Sequence, residues 1–271
     1  MYKIIPVLIL AFLLIQCGTE DIVQPEYLNA PSDLTAYPEN GKIKIKFYSN
    51  NKEDTFDGFN IYISKSSLVK SQPLLLPIAN PDTGGIPTVV STSKDIAPSV
   101  PISVEINRDA NDNPIENGVT YYIIVRAHST RNFKSEPSNE ASTTPRIDNM
   151  SGILLYDNDG FRFSSLSKST PYDFVVTIQN STTNKAFITG KNGCMIQNKG
   201  YYQDWGEVNQ ADTTGYIEEN IPVEIKEGYV IIFKTADSHY AKIFVHQISF
   251  TGIPYIKIWW AYQPVINNKD I

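Results

Sequence analysis

Polar and apolar residues alternate along much of this chain. In Lys42-Ile43-Lys44-Ile45-Lys46-Phe47 the apolar side chains fall on one face and the lysines on the other. A period of two marks a half-buried antiparallel strand. Phe59, Ile61 and Ile63 repeat it, as do Ile102, Val104 and Ile106, and then Tyr121, Ile123, Val125 and Ala127. Glu39-Asn40-Gly41 and Asn117-Gly118 supply turns between the runs. After Pro145-Arg146-Ile147-Asp148, strand-like runs resume at 152–156, 161–164, 172–178, 185–189, 194–197, 221–225, 229–234, 240–250 and 255–262. No helical period persists, and 204–212 has room for one short helical turn. The pattern predicts an all-β chain, with a sandwich over 29–146 and a second antiparallel β domain over 147–271.

The first residues break the alternation. Lys3 precedes an apolar run over 4–15, followed by Gln16-Cys17. As a helix this run spans about 18 Å, short of a hydrocarbon core of about 30 Å. A short basic start, an apolar centre and a terminal processing site describe a secretory signal. Leu14-Ile15-Gln16-Cys17 resembles the lipobox of bacterial lipoproteins. The resemblance implies that Cys17 carries the lipid and that 1–17 is the signal with its lipidated cysteine. Gln16 departs from the small residue usual in that family, and an uncleaved anchor or ordinary signal peptide is the alternative. Residues 18–28 are polar, acidic and proline-containing, a tether.

A second resemblance covers 29–146. Ala30-Pro31-Ser32-Asp33-Leu34, the strand over 42–48 and Gly58-Phe59-Asn60-Ile61-Tyr62-Ile63 look like strands A, B and C of a fibronectin type III domain. Tyr121, Ile123, Val125 and Ala127 resemble its F strand, with Tyr121 in the tyrosine-corner place. Ser135–Ala141 resembles the entry into strand G. The chain departs from the family in a longer region over 65–100 and in lacking a strand-B tryptophan, for which Phe47 is the nearest aromatic. The family consists of spacer and binding modules, so the resemblance implies no catalysis.

Composition narrows the function. The 271 residues carry 29 acidic and 23 basic side chains, a net charge of −6, which argues against a nucleic-acid partner. Two cysteines exclude a disulfide-stapled scaffold, and with Cys17 lipidated Cys194 has no internal partner. There are three histidines, and no GxSxG, HExxH, Walker A, GxGxxG or CxxC pattern occurs, so no catalytic residue is assigned. Asp109, Asn111, Asp112 and Asn113 resemble the DxNDN calcium linker of cadherins. Calcium takes six to eight oxygens, and the competing expectation is a solvated turn between strands. Asp157-Asn158-Asp159-Gly160 is read as a hairpin turn.

The second domain is rich in aromatics, with 19 among 147–271 against 9 among 29–146. Tyr201, Tyr202, Trp205, Trp259 and Trp260 are the candidate ligand platform, set against packing of a small core. Strand alternation sends Trp259 and Trp260 to opposite faces. Gly160–Ser164, Tyr172-Asp173-Phe174, Gly228-Tyr229-Val230 and the hairpin over 235–243 are similar to HmuY-type haem-binding lipoproteins. That resemblance implies a lipid-anchored, surface-exposed haem binder, with His239 and His246 the available ligands and Met195 a soft alternative. Seven residues apart, the two histidines are expected on opposite faces of one strand. The expectation is therefore a non-enzymatic lipoprotein, exported and anchored to a bacterial membrane, the outer membrane or cell surface first. It would bind a protein or glycan and need no cofactor. The alternatives are a haem-binding lipoprotein and a carbohydrate-binding accessory protein.

Overall fold

The computed structural model describes residues 27–71, 86–87, 97–109, 111–180 and 183–271. The signal, Cys17, the tether up to residue 26, and most of the long region over 65–100 lie outside the described residues.

The chain is all-β and forms two sandwiches. In the first, β1 (Ser32–Glu39), β2 (Lys42–Tyr48) and β5 (Ile102–Ile106) make a sheet of order β1-β2-β5. It faces a sheet of order β4-β3-β6-β7, built from β3 (Phe56–Ser64), β4 (Ile86–Pro87), β6 (Tyr121–Ser129) and β7 (Ala141–Thr143). All pairings are antiparallel. The alternation read from the sequence sets the packing. Ile43, Ile45 and Phe47 go inward against Phe59, Ile61, Tyr121, Ile123 and Val125. The lysines between them stay on the outer face. Each such buried apolar side chain contributes about 1.5–3 kcal/mol. The Tyr121 hydroxyl accepts a bond from the Glu116 amide at 3.1 Å, the tyrosine-corner contact that closes the turn before the strand.

In the second sandwich, β9 (Gly160–Phe161), β10 (Phe174–Gln179), β11 (Lys185–Gly190) and β13 (Pro222–Ile225) form a sheet of order β13-β11-β10-β9. Five strands form the other, in the order β12-β14-β15-β16-β8. They are β8 (Ile147–Tyr156), β12 (Met195–Tyr201), β14 (Tyr229–Lys234), β15 (Tyr240–Ser249) and β16 (Tyr255–Tyr262). The core between the sheets is aromatic. Phe163 and Phe174 each stack or tilt against Phe233, at 5.1 Å and 4.9 Å between ring centres, and Trp260 lies 5.6 Å from Phe161.

The centre of the five-stranded sheet, β14 and the first half of β15, is buried on both faces. A 3₁₀ turn at Trp205–Glu207 and the chain end at Ile271 cover Val230, Ile232, Tyr240 and Phe244. That outer layer is why 230–233 and 240–245 read as continuous apolar runs rather than alternating ones. The strand expected over 161–164 shrinks to Gly160–Phe161, because the chain turns back through the Arg162–Ser167 bridge. The expected turn over 157–160 is present, with Asn158 left-handed at φ 66° and the Asp159 carboxylate accepting the Tyr156 amide at 2.9 Å.

Polar contacts fasten the sandwiches together. The Asp270 carboxylate accepts the Thr144 amide at 2.6 Å, and Gln263, fully buried, donates to the carbonyls of Thr144 and Asp270 at 3.0 Å and 2.8 Å. Asn40 donates to the Asp148 carbonyl at 3.2 Å, and Asn117 holds Asn40 at 2.7 Å.

Candidate functional site

Where the sandwiches meet, a groove of about 750 Å³ opens. One wall is the outer face of the first sandwich, with Tyr37 from β1 and Lys42, Lys44 and Lys46 from β2. The period-two pattern that buries Ile43, Ile45 and Phe47 is what turns the three lysines into this wall. The other wall is the 3₁₀ turn. Asp204 caps it by accepting from the Gly206 amide at 2.9 Å, and Glu207 reaches back to the Asp204 amide at 3.1 Å, a reciprocal capping box. The floor is Arg146, Asp148 and Lys242 around the Trp205 ring.

The floor is electrostatically unusual. Lys242 is fully buried and donates to the carbonyls of Trp205, at 2.9 Å, and Val208. Its ammonium lies 4.5 Å from the Trp205 ring centre, and the Arg146 guanidinium lies 5.5 Å from it, so two cations share one indole. Burial, with Arg146 beside it, pushes the Lys242 ammonium well below its usual range. Burial likewise lowers Arg146 to about 10, against the pull of Asp148. It raises Asp148, against the pull of Arg146. The nearest Arg146–Asp148 approach is 3.9 Å, too long for a hydrogen bond, and the Arg146 Nε and Nη1 atoms are buried without an acceptor among the described residues.

The groove lining carries five basic and five acidic side chains, and no Ser, Thr, Cys or His. Glu39 and Glu105 are taken up by Lys42, at 3.1 Å and 2.8 Å, and Asp204 and Glu207 by the capping box. Lys44, Lys46 and Arg146 are left as the cations least engaged, Lys46 lying 5.3 Å over the Tyr37 ring. Such a lining positions charge and hydrogen-bonding groups.

The residues singled out in the sequence do not form one platform. Trp260 is in the core between the sheets and Trp205 is buried in the outer layer, so neither offers a free ring face. The reason is that the five-stranded sheet is covered on both sides. Trp259 is half-buried on the outer side, flat against His246 at 4.5 Å and Phe244 at 5.3 Å. Tyr202 packs beside it in the outer layer, and Tyr201 is exposed. His239 lies against Tyr262, a residue of the inner core, whereas His246 lies on the Trp259 side. Seven extended residues also separate them by roughly 23 Å. The two rings therefore lie on opposite sides of the sheet, and one iron cannot reach both. The hairpin at 235–239 is held by Thr235, whose hydroxyl donates to Asp237 at 2.6 Å and accepts the His239 amide at 3.0 Å. It serves the turn. Met195 opens β12 half-buried, opposite Lys234.

The Asp109–Asn113 run bonds within itself. Asp109 spends one carboxylate oxygen on the amides of Asn111 and Asn113, at 2.8 Å and 2.9 Å, and the other on the Asn113 side chain at 3.2 Å. Asp112, left-handed at φ 64°, turns toward Arg108. The run forms a turn of Asx type, and no cluster of three His, Cys, Asp or Glu side chains that could hold a metal ion occurs among the described residues. Cys194 is a buried free thiol. Arg146, Asp148 and Lys242 escaped sequence reading. The one available signal was a lysine inside the apolar run at 240–245.

No family model matches the chain, and no curated protein matches it. Among solved structures, similarity is found to an alpha-L-rhamnosidase from Dictyoglumus thermophilum, at 12% identity and a TM-score of 0.27, over 64% of this chain and 18% of that one. A cycloalternan-degrading enzyme from Trueperella pyogenes is similar at 10% identity and a TM-score of 0.27, over 86% of this chain and 30% of that one. This chain thus spans less than a third of either enzyme, and likeness at this level carries no argument about activity.

Proposed function

We propose that the chain is a lipid-anchored, non-enzymatic binding protein. In this reading the first sandwich, of fibronectin type III kind, is a spacer, and the groove at its junction with the second sandwich receives the ligand. One observation carries the reading. The chain enters the first sandwich at Leu28 and Asn29, where Asn29 and Asn51 bond each other at 2.7 Å and 3.0 Å. The β1–β2 turn that meets the second sandwich is at the far end of β1. Eight strand residues separate the two by roughly 25 Å. A lipid on Cys17 would therefore hold the groove away from the bilayer, and two acyl chains give stable attachment. No described helix is long and apolar enough to cross a membrane.

Palmitate labelling and fractionation of wild type and Cys17→Ala test the anchor. Wild type is expected labelled and membrane-bound, and Cys17→Ala unlabelled and released. Equal labelling overturns it. The released Cys17→Ala protein, applied to glycan and protein arrays with and without Lys44→Glu and Lys46→Glu, tests the groove. Hits lost in the charge-reversed protein are expected. Hits that survive the reversal overturn the groove as the binding surface.

A further inference from the structure

The junction groove carries a more specific inference, which rests on the binding reading above. Arg146 is 3% exposed and lines the groove floor, stacked on Trp205. Two of its three guanidinium nitrogens have no acceptor among the described residues, and the Asp148 carboxylate stands at 3.9 Å. An orphaned donor on a buried cation is costly, and such a group is completed by an acceptor from outside. Planar guanidinium forks select carboxylates, with charge-assisted bonds about twice as strong as neutral ones.

The rest of the groove says what carries that carboxylate. The β2 wall is the middle strand of its sheet, paired on both sides by β1 and β5, so β2 itself offers no edge for an extended peptide to join. The charged lining disfavours an apolar ligand. The acids Asp204, Glu207, Glu39 and Glu105 repel a dense polyanion, yet can accept from hydroxyl groups. Tyr37 adds aromatic surface beside these polar groups. We infer that the groove binds a saccharide bearing an isolated carboxylate, with Arg146 receiving the carboxylate, Lys44 and Lys46 steering it, and the wall carboxylates taking the hydroxyls.

The test is a set of NMR titrations of the full-length Cys17→Ala protein with sodium glucuronate, glucose and sodium acetate, read at the Arg146 Nε and Trp205 indole signals. Glucuronate is expected to saturate both signals in the millimolar range, at least about tenfold more tightly than glucose or acetate. Arg146→Gln is expected to abolish the preference over glucose. Should that variant fail to fold, Lys44→Gln with Lys46→Gln, both on the outer face, is expected to weaken glucuronate at least about threefold without changing the melting temperature. Equal binding of glucuronate and glucose overturns the carboxylate selection while leaving the groove as a binding surface. Equal binding of acetate overturns the saccharide. No response to glucuronate overturns the inference, and the array experiment then decides the groove reading separately.

Discussion

The Lys242 ammonium sits 4.5 Å above the Trp205 ring and donates to the carbonyl of that same residue at 2.9 Å, so one lysine fixes both the ring and the backbone of the 3₁₀ turn. Replacing it with methionine keeps the volume, removes the lysine donor from the Val208 carbonyl and leaves the Trp205 carbonyl only the Val208 amide at 3.4 Å. Lys242→Met is expected to cost about 1–3 kcal/mol in urea unfolding. It should also loosen the turn, seen as faster hydrogen exchange over 205–208. Unchanged exchange would show that the turn is held by its capping box alone.

Trp259 and Trp260 are neighbours in sequence with unequal roles. Trp260→Ala empties part of the aromatic core and is expected to destabilise by about 3–5 kcal/mol. Trp259→Ala removes a half-buried ring and should cost about 1–2 kcal/mol. Urea melts of the two variants give the comparison, and equal losses would contradict the assignment of faces.

The Tyr121 hydroxyl has one assigned bond, to the Glu116 amide. Tyr121→Phe keeps the ring in the core and deletes that bond. The expected loss is about 0.5–1.5 kcal/mol by urea melt, with a near-native amide spectrum.

Cys194 gives a pH dependence with a definite sign. Burial raises its thiol well above 9.0, so above that pH the unfolded chain releases a proton that the native protein keeps. The native state then binds more protons than the unfolded state, and its stability falls as pH rises. This group's contribution is intact below pH 9 and declines by about 1.4 kcal/mol per pH unit above it. Urea melts between pH 8 and pH 10 should therefore show a shallower decline for Cys194→Ala than for wild type. Iodoacetamide should leave native Cys194 unlabelled and label it in urea.

Asp270 holds the joint between the sandwiches through the Thr144 amide and the side chain of Gln210. Asp270→Ala is expected to cost about 1–3 kcal/mol. It should also open the joint to proteolysis near residues 144–146. An unchanged cleavage pattern would place the cohesion in Gln263 and in Asn268, whose side-chain amide donates to the Thr144 hydroxyl at 2.8 Å.

Much of the architecture was legible along the chain. Strands at 42–48 and 255–262 coincide with the observed ones, because a period of two records which side of a strand meets a core, and 229–234 coincides as a short apolar run buried on both faces. The opposite facing of Trp259 and Trp260 follows from the same rule. The rule breaks where a third layer is added. Alternation separates two faces, and it does not say whether the second face meets water or protein. The five-stranded sheet is covered on both, so Trp205 reads as a platform residue and is in fact buried packing.

Local chemistry thus settled the all-β class, the turns at Asn117-Gly118 and Asp157–Gly160, and the separation of His239 from His246. Tertiary structure alone decided the junction. Lys242 meets Trp205 across 37 positions and Asp270 meets Thr144 across 126. No local pattern encodes such pairs, since side chains distant in sequence become neighbours only when whole sheets pack. The same packing turns the lysines of one strand into the wall of a groove, and strips Arg146 of water while leaving its Nε and Nη1 without an acceptor among the described residues.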